Sequence, residues 1–170
     1  MAIAMAKLFG TPTDAIAKAI TSFKGIKRRF SYQIKTEAKV YIDDYAHHPT
    51  EINAVYQAVR ELYPNQKVLA VFQPHLFSRT RDFADDFAKS LSAFDDIILL
   101  DIYPARELPM EGINSQWLMD KMTNSYKKIV VKDDLIATIL ASDAPIIVTI
   151  GAGDIGELVP SIKKAINETL

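Results

Sequence analysis

The sequence predicts an α/β domain: a mostly parallel sheet with helices on both faces, a β-hairpin at one side and a short helical segment in front. Three observations predict it. "KVLAVF" (67–72), "DDIILLD" (95–101) and "PIIVTI" (145–150) are continuous apolar runs of strand length, as strands buried on both faces require. The stretches between such runs carry apolar residues at helical spacing, and strands and helices alternate along the chain.

Taken in order, Ala2 to Phe9 and Asp14 to Phe23 read as helices separated by "GTPTD", with Thr13 or Asp14 suited to cap the second. "RRFSYQIKTEAKVYIDD" (28–44) reads as two strands with a turn near Thr36 to Ala38. Pro49 suits the first turn of a helix that buries Ile52, Val55, Tyr56, Val59 and Leu62. After "KVLAVF", a helix shows Phe83, Phe87 and Leu91 on one face beside Ala84 and Ala88. "DDIILLD" leads into the long loop "IYPARELPMEGINS" (102–115) and a helix from about Gln116. A short strand near "KIVV", a helix over Asp134 to Leu140, the strand "PIIVTI" and a helix from about Ile155 follow. Ligands of such sheets bind at the carboxyl ends of the strands, which selects the loops 43–49, 73–81, 101–115 and 151–156.

Charge and composition remove several function classes. With 20 basic and 21 acidic residues the net charge is −1, which argues against a broad surface for nucleic acid or anionic membrane. Without cysteine there is no disulfide, thiolate metal site or cysteine nucleophile. No apolar run approaches the roughly 20 residues of a membrane span, and "MAIAMAKLFG" lacks the charged start of a signal peptide. A cytoplasmic protein is expected.

Each selected loop has its own chemistry. "DDYAHHPTEI" (43–52) gathers Asp43, Asp44, Tyr45, His47 and His48. A metal site needs three or four ligands, and adjacent histidines on a strand-to-helix turn diverge, so no metal is expected here. Asp44 can accept turn N–H groups or two sugar hydroxyls, while Asp43 only finishes the strand and His48 caps the helix opened by Pro49. "FQPHLFSRTRDF" (72–83) presents His75, Ser78, Arg79, Thr80 and Arg81; Arg79 or Arg81 could hold a carboxylate through two parallel hydrogen bonds, and Ser78 or Thr80 could cap the next helix. "KGIKRRF" (24–30) is basic but weak evidence for phosphate by itself. "GAGDIG" matches G-x-G-x-x-G at Gly151, Gly153 and Gly156, but the residues after it read as one helix. A dinucleotide site would lack its second strand and acidic residue, so the expected role is a tight turn that lets the last helix pack closely.

Together, "GIKRRF", "DDYAHHPTEI", "FQPHLFSRTRDF", "DIYPARELP" and "GAGDI", in this order, resemble the Mur ligases, and among them the members that add L-alanine to UDP-N-acetylmuramate. The resemblance covers essentially the whole chain and implies a Rossmann-like sheet. It implies a carboxyl-terminal domain at 23–170, preceded at 1–22 by a helical remnant of a central ATP-binding domain. The implied reaction uses ATP to turn the sugar's carboxylate into an acyl phosphate, which the amine of L-alanine then attacks. No G-x-x-x-x-G-K-[ST] occurs, so the segment is expected to be inactive alone, with most ligands for Mg2+ outside it. Position by position, Arg29, Asp44, Tyr45 and His47 match residues on the nucleotide side, with Asp44 on the ribose. His75 and Arg79 match the amino-acid side, with Arg79 on the alanine carboxylate. Leu76 stands where many relatives carry arginine. Two other readings compete: a nicotinamide-dependent oxidoreductase using "GAGDIG", and a non-enzymatic interaction module using the basic stretch.

Overall fold

The computed structural model describes residues 1–23 and 25–170; Lys24, the first residue of the basic stretch, lies outside the described residues. Six strands form one sheet in the order β1-β2-β6-β3-β4-β5. β1 (Ser31–Lys35) and β2 (Val40–Asp44) are the antiparallel hairpin. Its turn is closed where Thr36 and Lys39 bond each other. β3 (Val68–Phe72), β4 (Asp96–Leu99), β5 (Tyr126–Ile129) and β6 (Ile146–Ile150) join β2 in parallel.

Alternation along each strand feeds two cores. On one face, Val40, Ile42, Ala70 and Val148 meet Ile52, Val55 and Val59 of α3 (Pro49–Leu62), Phe87 and Leu91 of α5 (Ala84–Leu91) and Leu118 of α6 (Ser115–Asp120). On the other, Tyr41, Leu69, Ile98 and Ile147 meet Leu135 and Ile139 of α7 (Lys132–Leu140) and Ile155, Val159, Ile162 and Ile166 of α8 (Ile155–Asn167). The expected sheet covered on both faces is therefore present. β6 lies between β2 and β3, yet its helix α8 leaves to the opposite face from α3 and α5. The chain parts at the carboxyl ends of these strands, the position at which sheets of this kind bind ligands.

Two helical expectations change. Leu62 is 55% exposed and Tyr56 only partly buried, so the buried stripe of α3 is narrower than its spacing suggests. The segment 73–81 is not all loop: α4 (Phe77–Asp82) starts within it, and Phe83 separates α4 from α5. Ahead of the sheet, α1 (Ala2–Leu8) and α2 (Thr13–Ser22) bury Ile16 but leave Ile3, Leu8, Phe9, Ile20 and Phe23 exposed. Pro12, rather than Thr13 or Asp14, stands at the cap of α2.

Candidate functional site

At the end of β2, successive carboxylates point to opposite faces. Asp44 takes one backbone N–H on each oxygen, from Phe30 at 2.7 Å and Ala46 at 2.7 Å. A carboxylate has about four acceptor positions, so half of its capacity stays free. Asp43 is fully buried, and does more than finish the strand. It accepts hydrogen bonds from Arg28 Nε at 2.9 Å and Thr149 Oγ1 at 2.9 Å. The Tyr41 hydroxyl lies 3.1 Å from the same Thr149 oxygen, and burial pushes its pKa up.

Arg28 also donates from Nη2 to the Gly151 carbonyl at 2.7 Å, which explains the glycine loop. A Cβ on Gly156 would lie 2.4 Å from Arg28 Nη1, and one on Gly153 would lie 2.3 Å from Gln73 Oε1. Gln73 itself bridges Asp154 and the Ile155 N–H. The glycines thus make room for the protein's own guanidinium and amide. The expected close packing of the last helix is present, with Arg28 between; the signal that could have found Arg28 was a glycine pattern lacking the rest of a dinucleotide site.

Arg28 and Phe30 adopt left-handed backbone, at φ 57 and 45, on either side of Arg29. This conformation is uncommon outside glycine. It is held by the Arg28 ion pair, the Phe30–Asp44 bond and a bond from Tyr45 N to Arg28 O at 2.7 Å. The Arg29 guanidinium is left half-exposed, 3.8 Å from Glu51 Oε1 and over the Tyr45 ring. Arg29, Phe30, Asp44, Glu51 and Ala54 line a shallow cavity of about 320 Å³.

A row of rings continues along the edge. Tyr45 meets His47 with ring centroids 5.4 Å apart, His47 meets His75 at 6.2 Å, and His75 stacks on Tyr103 at 5.6 Å. The row crosses from the end of β2 to the ends of β3 and β4, so Asp44 and His75 share one edge of the sheet. His47 donates its backbone N–H to Glu51 at 2.9 Å. Burial pushes the Glu51 carboxyl up, but that bond and the charges of His47 and Arg29 outweigh it and hold it below the usual range. His48 turns away, accepting from the Thr50 N–H to cap α3 and packing on Phe83.

On the β3 side, His75 Nδ1 and Arg79 Nη1 are both buried and without a hydrogen-bond partner. Buried polar atoms are nearly always paired in native proteins, so two orphans in neighbouring side chains point to a ligand. Burial, then the charges of Arg79 and His47, push the His75 pKa down. Arg79 stands on α4 rather than on a bare loop. Arg81, the other candidate for a carboxylate, pairs with its neighbour Asp82 at 2.7 Å in solvent. Neither Ser78 nor Thr80 caps α5: Thr80 bonds back to the Leu76 carbonyl and Ser78 bonds Glu107. Leu76 is buried with φ 74 at the start of α4.

Among the described residues no three His, Asp or Glu side chains converge on a point where a metal could sit. Nor is any helix among them long and apolar enough to cross a membrane.

The sequence and the fold have counterparts in known proteins. The chain is 80% identical over 170 residues to UDP-N-acetylmuramate–L-alanine ligase of Flavobacterium johnsoniae, covering 100% of this chain and 38% of that protein. It is 49% identical over 154 residues to the ligase of the same name from Cytophaga hutchinsonii, covering 91% of this chain and 33% of that protein. The chain therefore spans little more than a third of the curated relatives it matches. Among solved structures, UDP-N-acetylmuramate-alanine ligase of Thermotoga maritima superposes with a TM-score of 0.78 at 25% identity, over 99% of this chain and 36% of that one. A murein peptide ligase from Psychrobacter arcticus shares the fold at a TM-score of 0.68 and 19% identity, over 99% of this chain and 36% of that one. The family model described as "Mur ligase, glutamate ligase domain" matches residues 28–153, from the half-buried Arg28 to the glycine loop that receives it, and the chain belongs to the Mur ligase family.

Proposed function

We propose that this chain is the carboxyl-terminal domain of an ATP-dependent ligase that joins L-alanine to UDP-N-acetylmuramate in peptidoglycan synthesis, and that its part is to hold the amino acid and one side of the nucleotide. The high identity to ligases of that name supports the reaction. One structural observation carries the site: the unpartnered Arg79 Nη1 and His75 Nδ1, buried side by side beyond the end of β3. A guanidinium offers a carboxylate two parallel hydrogen bonds. His75, kept neutral by burial and neighbouring cations, offers a ring nitrogen that can accept a hydrogen bond from an ammonium group.

The nucleotide side lies at the end of β2. The free acceptor positions of Asp44 suit ribose hydroxyls, and the exposed Arg29 guanidinium suits phosphate oxygens. Tyr45 and His47, in the ring row that runs from Tyr45 to His75, suit a position between the two halves. Bound ATP would supply the activation of the sugar carboxylate; the side chains here orient its ribose and bring the amine within reach. In the complete ligase Mg2+ would be held mostly by residues outside this segment. The exposed apolar side chains of α1 and α2 support assigning residues 1–22 to the adjoining central domain. A cytoplasmic location follows from the nucleotide substrates.

Steady-state kinetics of the complete ligase test the site. Arg79→Ala raises the KM for L-alanine by about 10- to 100-fold, because a charge-assisted pair is lost. Arg81→Ala, two residues along the same helix, leaves that KM within about twofold. Equal effects, or none in Arg79→Ala, would remove Arg79 from the amino-acid site.

A further inference from the structure

We infer that Glu107, in the loop after β4, is the residue that positions Arg79 for the substrate carboxylate and so sets affinity for the amino acid; this rests on the amino-acid-binding reading above. The inference starts from what does not hold Arg79. Its Nη1 has no partner, and no other residue among those described forms a side-chain hydrogen bond or ion pair with it. The aim of the guanidinium therefore depends on the backbone of α4. That helix has only six residues, and Leu76 at its start offers no side-chain cap. A helix so short depends on outside contacts for its first turn.

Glu107 supplies that contact from nearly thirty residues away. Its Oε2 accepts the Ser78 N–H at 2.9 Å, and its Oε1 accepts the Ser78 hydroxyl at 2.5 Å. Ser78 directly precedes Arg79, so both bonds fix the residue next to the arginine and the first turn of the helix that carries it. The bonds from Ser78 hold the Glu107 carboxyl below its usual range, so the group is ionised at neutral pH. The same loop grips the other orphan: Tyr103 stacks on His75, and backbone bonds run from Leu76 N to Tyr103 O at 2.9 Å and from Tyr103 N to Pro74 O at 2.8 Å. One segment thus sets both unpartnered nitrogens, His75 through Tyr103 and Arg79 through Glu107. Glu107 does not touch the substrate. It acts through α4, and small displacements of a binding group are costly in affinity and rate.

The test compares Glu107→Ala, Glu107→Gln and Ser78→Ala with Arg79→Ala in the complete ligase, varying L-alanine, ATP and the UDP-sugar separately. Glu107→Ala is expected to raise the KM for L-alanine about tenfold while kcat and the other two KM values stay within about twofold. Glu107→Gln, whose amide oxygen still accepts one bond, recovers part of the loss. Ser78→Ala has a smaller effect and adds nothing to Glu107→Ala, because both act through one contact. An unchanged alanine KM in Glu107→Ala overturns the inference. So does a parallel change in all three KM values, kcat and melting temperature, which would mark a general helix cap. If Arg79→Ala is also without effect, the amino-acid site itself is misplaced; if Arg79→Ala acts and Glu107→Ala does not, only the role of Glu107 is lost.

Discussion

The ends of β2 and β3 lie two strands apart on the same edge of the sheet, and they treat their arginines in opposite ways. Arg28 is bonded on both sides, to the buried Asp43 and to the Gly151 carbonyl, in a space left by Gly156. Arg79 is equally drawn in, yet a buried nitrogen of its guanidinium meets no acceptor. The first arrangement is a finished joint that ties the hairpin to the glycine loop. The second is costly as it stands, since an unsatisfied buried donor is worth about 1–3 kcal/mol against folding. A satisfied arginine and an unsatisfied one are therefore kept in separate places, although the residue types are the same.

The sharpest way to break this contrast is to truncate the joint. Arg28→Ala leaves Asp43 as a buried carboxylate with Thr149 as its remaining partner, and should cost about 3–5 kcal/mol in urea unfolding of this chain. Gly156→Ala should act in the same direction by crowding the guanidinium, with a loss of about 1–3 kcal/mol. A loss below about 1 kcal/mol in Arg28→Ala would show that the joint is not a structural unit. Arg79→Met tests the other end: it removes an unpaired donor and keeps an unbranched stem, so stability should hold or rise by about 1 kcal/mol. A loss comparable to that of Arg28→Ala would abolish the distinction.

The smallest expected effect is a titration. His75 has its pKa below the ordinary value of 6.5, because burial and the charges of Arg79 and His47 disfavour its protonated form. The unfolded chain takes this proton near 6.5, so the group's contribution to stability is intact above that pH. It is lost as pH falls from 6.5 through the folded-state value. Ring NMR signals of His75 should titrate below 6.5 in this chain, and Arg79→Met should move the midpoint upward. A midpoint at or above 6.5 would mean that the ring is solvated and that Arg79 points elsewhere.

These contrasts also mark what a reader of the sequence could see. The strands were legible because apolar runs such as "PIIVTI" allow little else, and His48 with Pro49 spelled out the start of α3. Asp44, Tyr45, His47, His75 and Arg79 stood out through their motifs, and the sheet brings them to one edge. The helix α4 was not legible: "FSRTRD" has no apolar period, and its first turn is held by Glu107 from a distant loop. The Asp43–Arg28 pair was hidden for a similar reason. It spans the hairpin and is completed by Thr149 and Gly151 from the other end of the chain, and long-range pairing of that kind leaves no local pattern.

The bridge between His75 and Tyr103 has one more consequence. It continues the hydrogen-bonded ladder of β3 and β4 past the strand ends and into the edge that carries the candidate site. Side chains borne on such a ladder move with the sheet, as teeth move with a jaw, and do not fold over a ligand like a flap. In a multidomain ligase, approach of this domain would deliver His75 as a preset group. The substrate would then lose little affinity to the entropy of ordering a loop.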